Sequence, residues 1–184
     1  MKWRGLYITV TAFMLLTLPI KAVSEHCRED SWNQALKFQK QTESWYNEKA
    51  NKFNDFLAFH KQQEFLYQEF STAEMSALWN SQSELYRRKI LDQSQAATTV
   101  VANLHKEIDE IRQQSSIIDR ANNNWKNLST HCTQVALNIN SSSSQYYINT
   151  NLALKQETER LVSKLNVMIG IYQQEIQAIE ALKP

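Results

Sequence analysis

The feature that most restricts the fold of this chain is the near absence of glycine and proline. Two of each occur in 184 residues, and neither type occurs between Pro19 and Gly170. Tight turns, hairpins and phosphate-binding loops depend on these residues, and a binding pocket needs irregular backbone. We therefore predict an all-α protein of long helices, and we do not expect an enzyme.

The first 24 residues have the layout of a cleavable secretory signal peptide. Lys2 and Arg4 precede an uncharged apolar run at 6–20, and residues 22–24 offer small side chains at a cleavage site. As a helix this run spans about 22 Å, which is short of the ~30 Å hydrocarbon core of a bilayer. Cleavage after residue 24 is thus favoured over a retained anchor. We predict an exported protein, in the periplasm, secreted or at the cell surface, with no stable membrane span after cleavage.

The charges of the exported part exclude some partners. Loss of the leader leaves 17 Lys and Arg against 19 Asp and Glu, and we predict no nucleic-acid partner because the basic stripe of such proteins is missing. The cluster Arg87–Lys89 and the acidic run 107–110 are interpreted as solvated helix faces. We predict no metal or cofactor either. In His26-Cys27 and His131-Cys132 the side chains are adjacent, whereas zinc ligands are spaced by two to five residues.

Apolar residues recur every three or four positions along much of the chain, which is typical of helices that pack along a seam. We predict helices at about 30–79, 82–139 and 145–182 in a single domain, 25–184. The last connection is placed at Asn140–Ser144, because Asn and Ser favour caps and turns. The predicted seam residues are Leu104, Ile108, Ile111, Ile118, Trp125, Cys132 and Ile139 in the second helix, and Ile148, Leu152, Leu165, Ile169, Tyr172, Ile176 and Ile179 in the third.

The two cysteines of an exported chain are expected to form a disulfide, Cys27–Cys132. A disulfide requires Cα atoms about 4.4 to 6.8 Å apart, and in an antiparallel hairpin the bonded residues lie equally far from the turn. The turn then falls at Asn80–Ser83. An earlier turn at Ser71, which like Ser81 begins a capping-box pattern, requires the chain to double back near 92–99. We therefore predict an elongated antiparallel helical hairpin or three-helix bundle with coiled-coil-like packing and one disulfide.

The first predicted helix carries two apolar stripes, so it needs cover from two directions. The first stripe is rich in aromatic residues and runs from Phe38 to Phe70. Either two other helices of the same chain cover both stripes, or the second stripe stays partly open as a docking surface. The residues of that second stripe are our candidates for partner binding: Trp32, Leu36, Tyr46, Leu57 and Phe65.

These features favour a non-enzymatic interaction module that presents an apolar helix face to a protein partner of unknown identity. In size, leader and helicity the chain resembles the helical minor pilins and adhesins of type IV secretion machines, without a shared motif, and this likeness implies a component of a cell-envelope or secretion assembly. The alternative is a periplasmic holding chaperone for exported proteins. An exposed seam also allows a homo-oligomer.

Overall fold

The computed structural model describes residues 27–81 and 83–183, so the predicted signal peptide lies outside the described residues. Within those two ranges the chain is all-helical and contains no strand. None of the helices there is both long and apolar enough to cross a bilayer. The helices are α1 Glu29–His60, α2 Leu66–Glu69, α3 Thr72–Asn80, α4 Glu84–Gln114, α5 Ser116–Gln134 and α6 Asn138–Glu180.

The predicted disulfide is confirmed. Cys27, just before α1, is bonded to Cys132 near the end of α5, and their Cα atoms are 5.4 Å apart. Cys132 is fully buried. The bond fixes the first turn of α1 beside the last turn of α5.

The long helices pack side by side in a bundle-like arrangement. α6 packs along α4 and α5, and α1 contacts both α5 and α6. The Trp45 indole N–H donates to Gln114 Oε1 at 2.8 Å, and the partners of later α1 residues lie earlier in α4, so α1 runs antiparallel to α4 and α5. Contacts from Gln39 to Asn151 and from His60 to Tyr172 show that it runs parallel to α6.

A buried hydrogen-bond network sets the register of these helices. Gln39 Oε1 of α1 accepts the indole N–H of Trp125 in α5 and an amide N–H of Asn151 in α6, both at 2.9 Å. The Gln39 side-chain amide itself donates to Glu43 at 2.8 Å. Gln39, Trp125 and Asn151 are almost completely buried. Sliding any one helix would leave buried polar groups without partners, which is costly, so these contacts oppose slippage.

Most of the predicted seam residues of α4, α5 and α6 lie in the core, with some exceptions. Ile139 is 82% exposed, Leu152 is also exposed, and Ile176 is half-buried. Ile139 lies at the start of α6, where it points away from the neighbouring helices. The main core cluster contains Phe53, Leu104, Ile108, Ile111, Leu161, Leu165 and Ile169.

The interpretation of the acidic run 107–110 as a wholly solvated face is wrong for two of its residues. The Lys49 ammonium of α1 is almost completely buried, and it lies 3.0 Å from carboxylate oxygens of both Glu107 and Glu110. Burial acts to lower the pKa of Lys49, but the contacts and charges of the two glutamates outweigh it, so the pKa is raised. The hydrogen bond from Lys49 lowers the pKa of Glu110. A buried cation on a facing helix cannot be seen in the periodicity of the acidic run itself.

The predicted helix 30–79 is interrupted. α1 ends at His60, and the chain continues through an extended Phe65, the short α2, and extended Phe70 and Ser71 before α3. The Ser71 hydroxyl and the Glu74 carboxylate form the predicted capping box at the start of α3. Bending buries Phe65 and Met75. The turn after α3 falls between Asn80 and Glu84, as the disulfide argument predicts.

The predicted connection at Asn140–Ser144 is wrong, because that run is helical and belongs to α6. Serine side chains in this run pack between helices, and their hydroxyls make hydrogen bonds. Ser144 is fully buried and donates to the Asn140 carbonyl at 2.9 Å, while the Ser141 hydroxyl lies 2.7 Å from that of Thr133 in α5. Small side chains with satisfied hydroxyls let two helices approach closely, and this tertiary packing overrides weak helix propensity.

The observed turn between α5 and α6 lies at 135–137. Ala136 has φ 58°, its N–H donates to the Thr133 carbonyl at 3.1 Å, and the Leu137 N–H donates to the Cys132 carbonyl at 2.9 Å. This pair of bonds is a Schellman motif, which usually has glycine at the left-handed position. A mild break at Ser115, which keeps right-handed helical dihedrals, separates α4 from α5.

Candidate interaction surface

Two of the five predicted partner-binding residues pack close to the disulfide. The Trp32 ring meets the Trp125 ring edge to face, with centroids 5.1 Å apart, and Leu36 packs against the same cluster. Both side chains are half-buried. They contribute to the core at this end of the bundle and keep part of their surface accessible.

The other three lie further along the chain. Tyr46 is half-buried near α6, where burial and the charge of Glu157 raise its pKa against the opposing charge of Arg160. Leu57 is half-buried against the main core cluster, and Phe65 is only 5% exposed. Other parts of the same chain therefore cover much of the second stripe. The role of this stripe in partner binding stays a prediction.

A more open apolar surface occurs where α1 ends. We call Lys61–Ser81, which contains α2 and α3, the strap. A carboxylate on α6 holds the strap against the bundle: Glu175, fully buried, accepts the backbone N–H of Leu66 at 2.9 Å and that of Tyr67 at 3.1 Å. These N–H groups begin α2, so a side chain from another helix caps it, in agreement with the preference for negative charge at helix N-termini.

Aromatic and apolar side chains fill the space beneath the strap. The Phe65 ring packs edge to face on Tyr172 of α6, with centroids 5.1 Å apart, and His60 Nδ1 lies 3.4 Å from the Tyr172 hydroxyl. Further along, Met75 packs with Ile90 of α4 and Ile179 of α6. The strap thus closes the end of the bundle that is opposite to the disulfide.

Between the strap and α4 lies an open groove of about 540 Å³, which we call the strap groove. Leu85, 62% exposed, stands beside Tyr86 at the start of α4, and Phe70 is 40% exposed on the strap. An amide from Gln93 bridges the groove to the Glu64 carbonyl at 3.0 Å. The groove is lined by apolar Leu66, Phe70, Leu78, Tyr86 and Ile90 and by polar Gln62, Gln63, Glu64, Lys89 and Gln93.

Sequence reasoning missed Leu85 and Tyr86 as candidates, although a signal was present. The buried residues of α4 begin with Ile90, Ser94 and Ala97, and Leu85 and Tyr86 do not both fit the backward extension of that spacing. Apolar residues outside a helix seam indicate exposure. The neighbouring basic cluster Arg87–Lys89 favours the interpretation of this part of α4 as a solvated face.

The disulfide end also exposes apolar side chains. Ile139 is 82% exposed, Tyr146 is 67% exposed, and Leu137 is exposed in the turn before α6. Ile139 and Tyr146 provide matched positions for comparison with the strap groove, since they are more exposed than Phe70 and Tyr86 and lie at the opposite end. Comparisons with protein-family models, curated proteins and solved structures find no match for this chain.

Proposed function

We propose that this protein is an exported, non-enzymatic interaction module, an elongated three-helix bundle that presents the strap groove to a protein partner in a cell-envelope or secretion assembly. The observation that carries the proposal is the groove itself, which is lined by exposed Phe70 and Tyr86, with exposed Leu85 next to Tyr86 in the sequence. Exposed apolar clusters bordered by polar residues are typical of protein interaction sites.

Three further features support the proposal. The α1, α4–α5 and α6 contacts agree with a three-helix bundle. The Cys27–Cys132 bond suits an oxidising compartment, and the first 24 residues supply an export signal. Apolar side chains with an amide rim suit an amphipathic helix of a partner, whose apolar face would enter the groove while its polar edge meets glutamine side chains.

The test is photo-crosslinking in the native host with a benzophenone side chain at Tyr86, and with the same side chain at Tyr146 as the matched control. We expect one discrete adduct from position 86 and none of that mass from position 146. A second pair of variants checks the contact: Leu85→Ser combined with Tyr86→Ser should abolish co-purification of that partner, whereas Ile139→Ser should keep it.

The outcomes separate the proposal from its alternatives. Equal adducts from both ends, or none from position 86, would contradict a partner at the strap groove. A broad set of adducts, together with suppressed aggregation of unfolded exported proteins in vitro, would indicate the holding chaperone instead. An adduct of twice the chain mass would indicate self-association.

A further inference from the structure

The interruption between α1 and α4 has one local signal, the capping box of Ser71 and Glu74 at the start of α3. Positions 61–83 contain neither glycine nor proline. The extended residues have ordinary dihedrals, with φ −109° and ψ 123° at Phe65 and φ −126° and ψ 140° at Phe70. No glycine, proline or strained dihedral angle therefore excludes a helix here. The capping box favours a helix start after Ser71, and the bend at Phe65 depends on contacts with the rest of the bundle.

The register of α1 already suits a straight helix. The disulfide Cys27–Cys132, the hydrogen bond from Trp45 to Gln114 and the ion pair of Lys49 with Glu110 all join residues whose numbers lie symmetrically about 79 and 80. This is the pairing of a continuous hairpin with its turn at the observed position, just after Asn80. Straightening the strap would require no sliding of α1.

The strap also contains a second set of apolar residues that suits the straight form. The buried α1 positions 35, 39, 42, 49 and 53 fit a seven-residue repeat with alternating steps of four and three. Within the strap the continuation of this repeat falls on apolar Tyr67, Phe70 and Ala77 and on polar Gln63 and Glu74. Of these, Phe70 is now exposed. Phe65 and Met75, which are buried in the bent form, lie off this continuation. The strap thus carries apolar residues that suit each conformation, although Gln63 and Glu74 interrupt the pattern of the straight form.

We propose that the strap has two conformations, bent as observed or straight as a continuation of α1. We also propose that the Glu175 carboxylate stabilises the bent conformation. Its carboxylate accepts two strap N–H groups at 2.9 and 3.1 Å. In the straight state the strap N–H groups bond within the helix, and the carboxylate gains water as the strap leaves it. Helix extension from α1 needs no new nucleation, so the competition is between tertiary contacts and helix propagation.

The two states present different surfaces. The bent form exposes Phe70 in the strap groove, whereas the straight form draws Phe70 into the seam and releases Phe65 and Met75. This consequence rests on the proposed function, since it regulates the same site. The conformational change itself does not, because it can be measured without a partner.

The test uses backbone NMR of the purified, oxidised protein with Glu175→Ala. We expect the Cα chemical shifts of residues 63–65 and of Phe70 and Ser71 to move from non-helical to helical values, with the shifts around Trp125 unchanged. Glu175→Gln keeps one acceptor, so it should give the same change with a smaller population of the straight conformation. This variant provides the test if Glu175→Ala folds poorly. Shifts that stay as in the wild type, or become those of random coil, would overturn the proposal.

A proline variant tests whether the straight conformation can be prevented. Thr72 is the first residue of α3, where proline fits and no intrahelical N–H bond is lost, whereas proline inside a continuous helix is strongly unfavourable. Thr72→Pro should leave the wild-type shifts and melting temperature unchanged, and in the Glu175→Ala background it should remove the helical shifts at Phe70 and Ser71. Thr72→Ala is the matched control. A large loss of stability from Thr72→Pro alone, or helical shifts that persist in the double variant, would contradict the two-state strap.

Discussion

The two ends of this bundle are held in different ways. At the disulfide end, a covalent bond and the buried network around Gln39 leave one register for the helices. At the strap end, apolar contacts and the Glu175 carboxylate hold a segment for which we propose a second, straight conformation. A covalent bond and a buried polar network specify a single arrangement, whereas apolar contacts permit alternatives that bury different side chains. The end opposite to the disulfide is also the end with the open groove.

The largest expected effect comes from removing the covalent constraint. Replacing both Cys27 and Cys132 by serine should lower the free energy of unfolding by about 4 kcal/mol, because the bond closes a loop of roughly 100 residues in the unfolded chain. Helical content at low temperature should be retained, since the remaining contacts persist. Urea denaturation followed by circular dichroism measures the loss. Coincident curves for mutant and wild type would mean that the disulfide does not distinguish the two ends.

The second-largest loss of stability is expected from disrupting the buried network around Gln39. Gln39→Leu removes the acceptor of two buried donors, the indole of Trp125 and the amide of Asn151, and should cost about 2 to 3 kcal/mol. Gln41→Leu, at an exposed position of the same helix, is the matched control and should change stability little. If both variants unfold at the same urea concentration, the network does not fix the register.

A smaller and pH-dependent effect is expected from Lys49→Met. The pKa of Glu110 is lowered by its hydrogen bond from Lys49, so the carboxylate contributes stability above its ordinary pKa and loses it as the pH falls through the lowered value. The wild type should therefore lose more stability than Lys49→Met between pH 6 and pH 3. Parallel plots of the urea midpoint against pH for the wild type and Lys49→Met would show that the ion pair does not stabilise the bundle.

The smallest effect concerns the turn between α5 and α6. Ala136 has positive φ, a conformation that costs about 1 kcal/mol or more in non-glycine residues, while glycine adds roughly 0.5 to 1 kcal/mol of entropy to the unfolded chain. Ala136→Gly should thus be neutral or stabilising by at most about 1 kcal/mol in thermal denaturation. A clear destabilisation would mean that the Schellman turn is held by the Ala136 side chain.

The sequence was informative where one strong constraint acted. The count of two cysteines and the distance limits of a disulfide gave the bond and the turn after Asn80, and the three-four spacing gave most of the core. It failed where tertiary contacts decide. Ser144 is helical because it packs in a buried site, and Lys49 is buried because two glutamates on α4 face it.

Only part of the strap could be predicted, for a related reason. The capping box at Ser71 was visible in the sequence, whereas the bend at Phe65 depends on Glu175, more than a hundred residues away in the chain. Of the residues that line the strap groove, Leu66 and Phe70 lie on the first apolar stripe of the predicted helix. For Leu85 and Tyr86 the signal was that they do not both fit the seam spacing of α4.

The contrast between the two ends is tested most directly by native-state hydrogen exchange of the oxidised protein in low concentrations of denaturant. We predict that amides of the strap exchange through a local opening whose free energy is well below that of global unfolding, while amides around Gln39, Trp125 and Asn151 exchange only with global unfolding. Strap amides that open with the same free energy and the same denaturant dependence as those around Gln39 would contradict this account.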